Sequence, residues 1–260
     1  MTTITTERRA RVSLIGLNRP AKRNAFDPEM FHSLARALGD YEADRDSWCA
    51  VIFAHGDHFT GGIDLAQFAP RFAAPGDPFQ LAPGSIDPFG LRNRLSKPLI
   101  IAVQGITFTI GIEMLLAADI RIAASNARFA QMEVARGLYP LGGATFRLVR
   151  EAGWGNAMRY MLTGDHWGAE ESFRMGVTQQ IAATPAAALE AGIAMARKIA
   201  ACAPLSIKAT LASAHQYVDP LEADALSKLG AQYSALYRTE DFLEGRRAEA
   251  EGRPPQYKGR

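Results

Sequence analysis

Three short apolar runs place the strongest limit on how this chain can fold. They are "WCAVIFAHG" at 48–56, "PLIIAVQG" at 98–105 and "DIRIAAS" at 119–125. Runs this short and this rich in strand formers are typical of strands that are buried on both faces. A further strand, "RVSLIGL", is predicted at 11–17. Because helical patterns separate the strands, we predict an α/β fold with largely parallel pairing.

Helix signals lie between these strands and dominate the second half of the chain. Asp27 is predicted to cap a helix whose first residue is Pro28, and "GIEMLLAAD" predicts a helix directly after strand 98–105. One short strand, "TQQIAAT", interrupts the later helices. Those helices are predicted at 142–162, 169–174, 186–200, 204–217, 221–236 and 239–249. The pattern therefore predicts an α/β core over residues 1–189 and a helical region over 190–260.

Charge and cysteine content exclude several classes of function. The chain has 260 residues and a net charge of +2, with its Lys and Arg residues dispersed, so neither nucleic-acid nor membrane binding is predicted. Cys49 and Cys202 form neither a disulfide framework nor a metal-ligand pattern. The start "MTTITTERRARVS" lacks the apolar segment of a secretory signal, and no uncharged apolar run is long enough to span a bilayer. We expect a cytoplasmic protein.

Two strand-to-helix turns contain glycine, "FTGGIDL" at 59–65 and "TFTIGIE" at 107–113. Ligands of open α/β sheets bind at the carboxyl ends of the strands, where the first N–H groups of the following helix are free to donate. Two such turns on neighbouring strands can direct two N–H groups at one point, which is the geometry of an oxyanion hole. Alternatively, the glycines only make tight turns. Neither turn is a phosphate-binding motif.

Two glutamates are the candidate acid–base groups. Glu113 carries the one formal charge between Pro98 and Ala118, and Glu133 follows a short strand in "RFAQMEVARG". Two carboxylates in an apolar cleft raise each other's pKa, so that one can accept a proton while the other donates one. Glu113 can instead be a helix N-terminal acid. Glu133 can instead form a surface salt bridge to Arg136 or Arg128.

The segment 70–90 is rich in proline and glycine and is long for a loop of a compact domain, which is typical of a mobile or functional loop. Its large apolar residues can line a lid over a binding site or pack on a neighbouring helix. These residues are Phe72, Phe79, Leu81, Ile86 and Phe89.

The order of the motifs resembles the crotonase family of enoyl-CoA hydratases and isomerases. The motifs are "LNRPAKRNAF", "FTGGIDL", "KPLIIAVQG…GIEMLLAADIRIA", "ARFAQMEVARGLYPLGGATFRL", "LTGD" and the tail "EGRRAEAEGRPPQYK". The resemblance covers residues 11 to 258. It implies a spiral of ββα units with a C-terminal helical trimerisation region. It also implies an acyl-CoA thioester substrate, assembly as a homotrimer or homohexamer, and no metal, nicotinamide or flavin cofactor, since coenzyme A is part of the substrate.

The resemblance also implies a role for individual residues. Glu113 and Glu133 fall on the two catalytic glutamates of a hydratase, and the backbone N–H groups of Ile63 and Ile110 fall on the oxyanion hole. The residues implied to bind CoA or the acyl group are Lys22, Arg23, Ala25, Gly61, Asp64, Leu65, Phe68, Phe108, Leu141 and Lys258.

The chain also departs from the family pattern. Thr109 and Ile110 replace glycines of the second oxyanion turn, Met132 replaces a proline, and Leu141 replaces a glycine. Because β-branched residues disfavour positive φ, we expect an ordinary backbone conformation at the turn of Ile110. The added bulk predicts a reshaped acyl pocket and a substrate other than a simple straight-chain enoyl-CoA.

The function expected from these residues is enoyl-CoA hydration, with syn-type addition of water across the 2,3 double bond. Glutamate at both 113 and 133 favours hydration, because an isomerase needs only one suitable glutamate. The alternatives are a Δ3-Δ2 isomerase, a dehydratase running the hydration backwards, a thioester hydrolase, and an acyl-CoA binder with little turnover.

Overall fold

Nine strands form two sheets in the part of the chain that the computed structural model describes, residues 2–74 and 77–260. In chain order they are β1 (Ile4–Arg9), β2 (Val12–Leu17), β3 (Cys49–Ala54), β4 (Leu99–Val103), β5 (Ile106–Phe108), β6 (Ile120–Ala124), β7 (Arg128–Ala130), β8 (His166–Gly168) and β9 (Gln180–Ala182). The main sheet has the order β1-β2-β3-β4-β6-β9, and the smaller sheet has the order β5-β7-β8.

The predicted parallel pairing is confirmed for most of the main sheet. Strands β2, β3, β4, β6 and β9 are parallel, with Ile15 opposite Ile52 and Ile101 opposite Arg121. Only β1, which the sequence pattern did not predict, runs antiparallel to its neighbour β2. Its residues are mostly exposed, so β1 lacks the apolar run that marked the other strands.

Helices make up most of the rest of the described chain. They are α1 (Pro28–Ala43), α2 (Leu65–Ala73), α3 (Ile110–Ala117), α4 (Ala144–Ala152), α5 (Trp154–Thr163), α6 (Ala169–Arg174), α7 (Pro185–Ala200), α8 (Pro204–Tyr237) and α9 (Glu240–Glu251). Short 3-10 helices lie at Pro20–Lys22 and Glu133–Arg136. Asp27 caps α1 as predicted, since its carboxylate accepts a hydrogen bond from the Met30 N–H.

The chain winds through a repeated unit of two extended segments and a helix. Strand β4 lies in the main sheet, β5 in the smaller sheet, and α3 follows. In the preceding unit β3 is followed by an extended segment in which Thr60 bridges Thr107 of β5, and then by α2. One unit earlier, β2 is followed by Phe26, which bridges Ile63, and then by α1. The predicted spiral of ββα units is therefore confirmed.

Both faces of the main sheet are buried, which explains the continuous apolar runs. Val12, Val51 and Ile100 point to one face and pack in a cluster with Ile193 of helix α7. The alternate residues of the same strands point to the opposite face and join the larger core beneath the helices α1 and α3. The predicted domain boundary at residue 190 falls inside α7.

Two predicted helix boundaries were wrong. The helix predicted at 142–162 is two helices, because Gly153 between α4 and α5 has φ 76°. The two helices predicted at 204–217 and 221–236 are one helix, α8, which continues through Pro220. Ion pairs on either side of this proline hold the turn to the core: Asp219 lies 2.8 Å from Arg94, and Glu222 lies 3.2 Å from Arg147.

Within the described residues, no helix combines the length and the apolar character that crossing a bilayer would require.

Candidate active site

A cavity of about 670 Å³ opens where the two glycine-containing turns meet. The turn before helix α2 contributes Gly61 and Ile63, and the turn before helix α3 contributes Thr109 and Ile110. Thr60 of the first turn bridges Thr107 of the second, so the smaller sheet holds the two turns side by side. The neighbouring strands β3 and β4 thus deliver two helix starts to one cavity.

Two backbone N–H groups at this junction are available to a ligand. Among the described residues, neither the Ile63 N–H nor the Ile110 N–H has a hydrogen-bond acceptor, although the flanking Asp64 N–H donates to Phe26 O at 2.8 Å. Ile110 is the first residue of α3, where an N–H lacks an intrahelical partner. Both residues line the cavity. The arrangement can stabilise a negatively charged oxygen placed between the two turns.

The backbone conformation of this turn differs in part from the prediction. Ile110 has an ordinary helical conformation, as predicted, but the residue before it has φ 48° and ψ −109°. That residue is Thr109, and a β-branched residue at positive φ is a conformational outlier that costs on the order of 1–3 kcal/mol. A glycine at this turn would adopt the positive φ without strain, whereas Thr109 adopts it at a cost.

Glu113 lies on the cavity wall and is only 4% exposed. It occupies the first turns of α3, and its Oε1 accepts hydrogen bonds from Gly142 N–H at 2.6 Å and Ala144 N–H at 3.4 Å. These two amides belong to the start of helix α4. The carboxylate is thus fixed between two helix N-termini, both of which favour negative charge.

Glu133 lies on the same cavity and is the first residue of the 3-10 helix Glu133–Arg136. Its Oε1 accepts a hydrogen bond from Gln131 at 3.2 Å, and its buried Oε2 has no partner among the described residues. Arg136, one of the two alternative salt-bridge partners, instead lies 2.8 Å from Glu249. The carboxyl group of Glu133 is therefore available to a ligand.

Burial changes the acidity of both groups. It raises the pKa of Glu113 from 4.5 to about 7, against the opposing effect of the Ala144 and Gly142 N–H donors. Burial, followed by the nearby charge of Glu113, raises the pKa of Glu133 well above 4.5. Both shifts bring proton exchange by the pair closer to neutral pH, which favours acid–base chemistry.

The raised pKa of Glu113 predicts a pH-dependent gain of stability in the variant Glu113→Gln. Between pH 4.5 and about 7 the folded chain keeps a proton that the unfolded chain has released, so wild-type stability falls as the pH rises through this range. Glutamine has no such proton. We expect the variant to gain on the order of 2–3 kcal/mol relative to wild type between pH 4.5 and pH 8.

Urea unfolding at both pH values measures this gain. The control is Glu170→Gln, which changes an exposed glutamate at the start of α6. An equal stability difference between wild type and Glu113→Gln at pH 4.5 and at pH 8 would contradict the prediction.

Basic side chains surround the cavity mouth. Lys22, the last residue of the 3-10 helix Pro20–Lys22, and Arg23, its C-cap, are exposed. Both line the cavity, as do Arg136 and Arg246. Lys258 does not contribute to it, because its ammonium group lies 3.5 Å from Glu240. Of the other residues predicted to bind CoA or the acyl group, the cavity is lined by Ala25, Gly61, Asp64, Leu65, Phe108 and Leu141.

An aromatic cluster forms one wall of the cavity. Phe72 and Phe79 line the cavity and contact Phe68, which is 1% exposed and supports the wall from behind. Phe79 also packs on Phe31 of helix α1, as does Phe89. Packing on a neighbouring helix is therefore confirmed for Phe79 and Phe89, while a lid formed by the segment 70–90 stays a prediction. Pro75 and Gly76 of this segment lie outside the described residues.

The C-terminal helices contribute cavity residues that the sequence pattern did not predict. Tyr233 of α8 and Arg246, Glu249 and Ala250 of α9 line the cavity, together with Tyr139, whose hydroxyl donates to Leu229 O at 2.7 Å. No local motif marks these residues. The aromatic spacing in "QYSALY" on a helix was the one available signal, and it is equally typical of core packing.

Comparison with known proteins agrees with this geometry. The family model described as enoyl-CoA hydratase/isomerase matches residues 7–260. The chain is 34% identical over 258 residues to enoyl-CoA hydratase EchA19 of Mycobacterium tuberculosis, a match that covers 98% of this chain and 96% of that protein.

Two solved structures extend the comparison. A probable enoyl-CoA hydratase/isomerase from Mycobacterium abscessus is 44% identical, with a TM-score of 0.81 and coverage of 100% of this chain and 99% of that chain. Carnitinyl-CoA hydratase from Mycobacterium avium is 31% identical, with a TM-score of 0.89 and coverage of 99% of both chains.

The chain belongs to the enoyl-CoA hydratase/isomerase family and has the crotonase fold. It is an enzyme of the hydratase type, in line with its curated relatives.

Proposed function

We propose that the protein is an enoyl-CoA hydratase that adds water across the 2,3 double bond by acid–base catalysis with two glutamates. The observation that carries this proposal is the arrangement of one cavity. Two buried carboxyl groups of raised pKa, Glu113 and Glu133, share it with two unpaired backbone N–H groups. A reaction that needs a base, an acid and an oxyanion site finds all three there.

The backbone N–H groups of Ile63 and Ile110 would bind the thioester oxygen. Attack on the β-carbon moves an electron pair from the double bond through the thioester, so that this oxygen becomes negative as the enolate forms. Preorganised donors stabilise that charge, and loss of one such donor typically costs about 10²–10³ in rate. This is why an apolar cavity with two free amides supports the reaction.

The two carboxyl groups differ in their hydrogen-bond partners, and we assign their roles from this difference. Glu113 accepts two backbone hydrogen bonds that favour its ionised form, so it is the base that takes a proton from the attacking water. Glu133 has a buried Oε2 without a partner among the described residues, so it is the acid that protonates the α-carbon. Both groups line one cavity and the charge of Glu113 reaches Glu133, which supports delivery of oxygen and proton to the same face and hence syn addition.

The side chains at the two ends of the cavity indicate the class of substrate. Lys22, Arg23 and Arg246 at the mouth suit the phosphates of coenzyme A. The inner wall carries bulky side chains where family members have glycines, namely Ile110 and Leu141, with Phe108 beside them. We therefore propose an acyl group that is branched or aromatic rather than a short straight chain.

Loss of the absorbance of the conjugated enoyl thioester tests this proposal. The substrates to compare are crotonyl-CoA, longer straight-chain enoyl-CoA esters, and branched and aryl-substituted ones. We expect hydration of at least one bulky ester with a higher kcat/KM than for crotonyl-CoA. Fast hydration of crotonyl-CoA would refute the acyl preference while leaving the hydratase in place.

Two further readouts separate the alternative activities. An isomerase would convert a 3-enoyl-CoA ester to the conjugated ester and so raise the absorbance, whereas a thioester hydrolase would release the free thiol of coenzyme A. Either activity without any hydration would overturn the proposal. Binding of CoA esters with no reaction of any kind would also overturn it.

We also propose that the chain assembles as a homotrimer or homohexamer through its helical region 190–260. Two large apolar side chains on the outside of α8, Leu205 and Tyr217, are 80% and 78% exposed, which is typical of a surface that a partner covers. Light scattering on the purified protein measures the mass, and a monomer at micromolar concentration would contradict this assembly.

A further inference from the structure

The Thr109 side chain occupies an unusual place between the two oxyanion turns. Thr109 directly precedes Ile110, whose N–H is one of the two free amides. Its Oγ1 lies only 2.6 Å from the position that a Cβ atom on Gly62 would occupy, and Gly62 directly precedes Ile63. The hydroxyl group therefore lies against the first turn, next to the glycine that precedes Ile63, in the cavity that Thr109 lines.

The backbone of Thr109 is held in its strained conformation from both sides. The Thr109 N–H donates to Ala130 O at 3.0 Å, and the Thr109 carbonyl accepts from Ile112 N–H at 2.9 Å and Glu113 N–H at 3.2 Å. These bonds join the turn to strand β7 and to helix α3. With φ fixed at 48°, the side chain cannot leave the junction by a backbone rotation.

Helix capping does not account for this threonine. Thr109 stands at the N-cap of α3, where a threonine usually accepts a hydrogen bond from an N–H of the first turn. Here its hydroxyl makes no such capping bond. A strained N-cap residue whose hydroxyl makes no capping bond within the described helix is the kind of outlier from which a function can be inferred.

We propose that the Thr109 hydroxyl is a third donor of the oxyanion hole and donates a hydrogen bond to the thioester oxygen beside the Ile63 and Ile110 N–H groups. This inference rests on the proposed function, because it needs a thioester oxygen at that point. The hydroxyl then makes its strongest bond as the oxygen becomes negative, so that Thr109 acts on kcat more than on KM.

Three substitutions at Thr109 separate the effect of the hydroxyl group from the effect of the backbone strain. Thr109→Val keeps the β-branched shape and removes the donor, Thr109→Ser keeps the donor, and Thr109→Gly removes both the donor and the strain at positive φ. A hydrogen bond to a charged group predicts a fall of about 10- to 100-fold in kcat for the Val and Gly variants, with KM nearly unchanged. The Ser variant should stay near wild type. Thr210→Val, at an exposed position of α8, is the control.

Infrared spectroscopy of bound butyryl-CoA, labelled with carbon-13 at its carbonyl, reports the hydrogen bonds directly. This saturated ester has no double bond, so it can occupy the site without being hydrated. In wild type we expect the carbonyl band to shift to lower frequency on binding, and we expect the Val and Gly variants to lose part of that shift. Because Thr109→Gly relieves strain, it keeps the test possible if Thr109→Val does not fold.

The outcomes distinguish this inference from the proposed function. A normal wild-type shift that is unchanged in both the Val and the Gly variants would overturn the third donor and leave the two-amide oxyanion hole intact. No shift in wild type, although butyryl-CoA binds, would overturn the oxyanion hole itself and the third donor with it.

Discussion

Replacing either Glu113 or Glu133 by glutamine is expected to lower kcat for enoyl-CoA hydration by about 10²–10⁴-fold. Glutamine keeps the size and hydrogen-bonding capacity of the side chain but can neither accept nor release a proton at neutral pH. In the proposed mechanism, Glu113→Gln removes the base that activates water, and Glu133→Gln removes the acid that protonates the α-carbon. Steady-state kinetics on the best ester of the substrate panel measure the loss.

The pH profile supplies a second readout of the same pair. Wild-type kcat/KM should rise as Glu113 ionises near its pKa of about 7 and should fall once Glu133, whose pKa burial and the charge of Glu113 raise, loses the proton that it donates. The residual kcat/KM of Glu113→Gln should not rise with pH near 7. Glu170→Gln is again the control, and wild-type rates in either active-site variant would exclude the two-glutamate mechanism.

A single methyl group at Gly142 is expected to disable the enzyme by displacing the Glu113 carboxylate. The Gly142 N–H donates to Glu113 Oε1 at 2.6 Å, and a Cβ atom at Gly142 would lie 2.6 Å from Glu113 Oε2 and 2.7 Å from the Phe89 ring. The Phe89 ring is packed against Phe31 and Phe79, so we expect the carboxylate to be the neighbour that shifts. Because a shift of about 1 Å in a catalytic group can cost about 10²-fold, we expect a loss of that size in kcat for Gly142→Ala.

Gly155→Ala is the matched control, since a Cβ atom there would meet nothing within 4 Å and alanine suits the interior of α5. A melting curve of each variant separates a displaced carboxylate from a destabilised fold. Unchanged kcat in Gly142→Ala would show that Glu113 does not need the position described here.

The sequence predicted the parts of the fold that depend on local pattern. The buried strands β3, β4 and β6 are confirmed because apolar runs flanked by turn residues admit few alternatives. The break at Gly153 and the continuity through Pro220 were missed because they depend on packing and ion pairs with distant residues, such as Glu222 with Arg147. The exposed strand β1 had no apolar run to mark it.

In the candidate site, too, the features that depend on local pattern were predicted and those that depend on distant contacts were not. The structure brings Glu113, Glu133 and the two amides to one cavity, and their strand-to-helix positions made this predictable. Tyr233 reaches the cavity from α8, about a hundred residues after Glu133. Residue spacing over such a distance does not predict a contact. The strain at Thr109 was also missed, since the sequence shows which residue stands at a turn but not which of two adjacent residues takes the positive φ.

The repeated ββα unit has a consequence for how such an enzyme can diverge. The Ile63 and Ile110 amides stand at equivalent points of successive units, where the smaller sheet gives way to a helix. Each donor belongs to the main chain, so among point substitutions only one to proline, which lacks a backbone N–H, deletes it. The side chains attached to the same two residues are therefore free to vary and to shape the acyl wall. Substrate choice can change at the very positions that stabilise the enolate, while the stabilising groups are inherited unchanged.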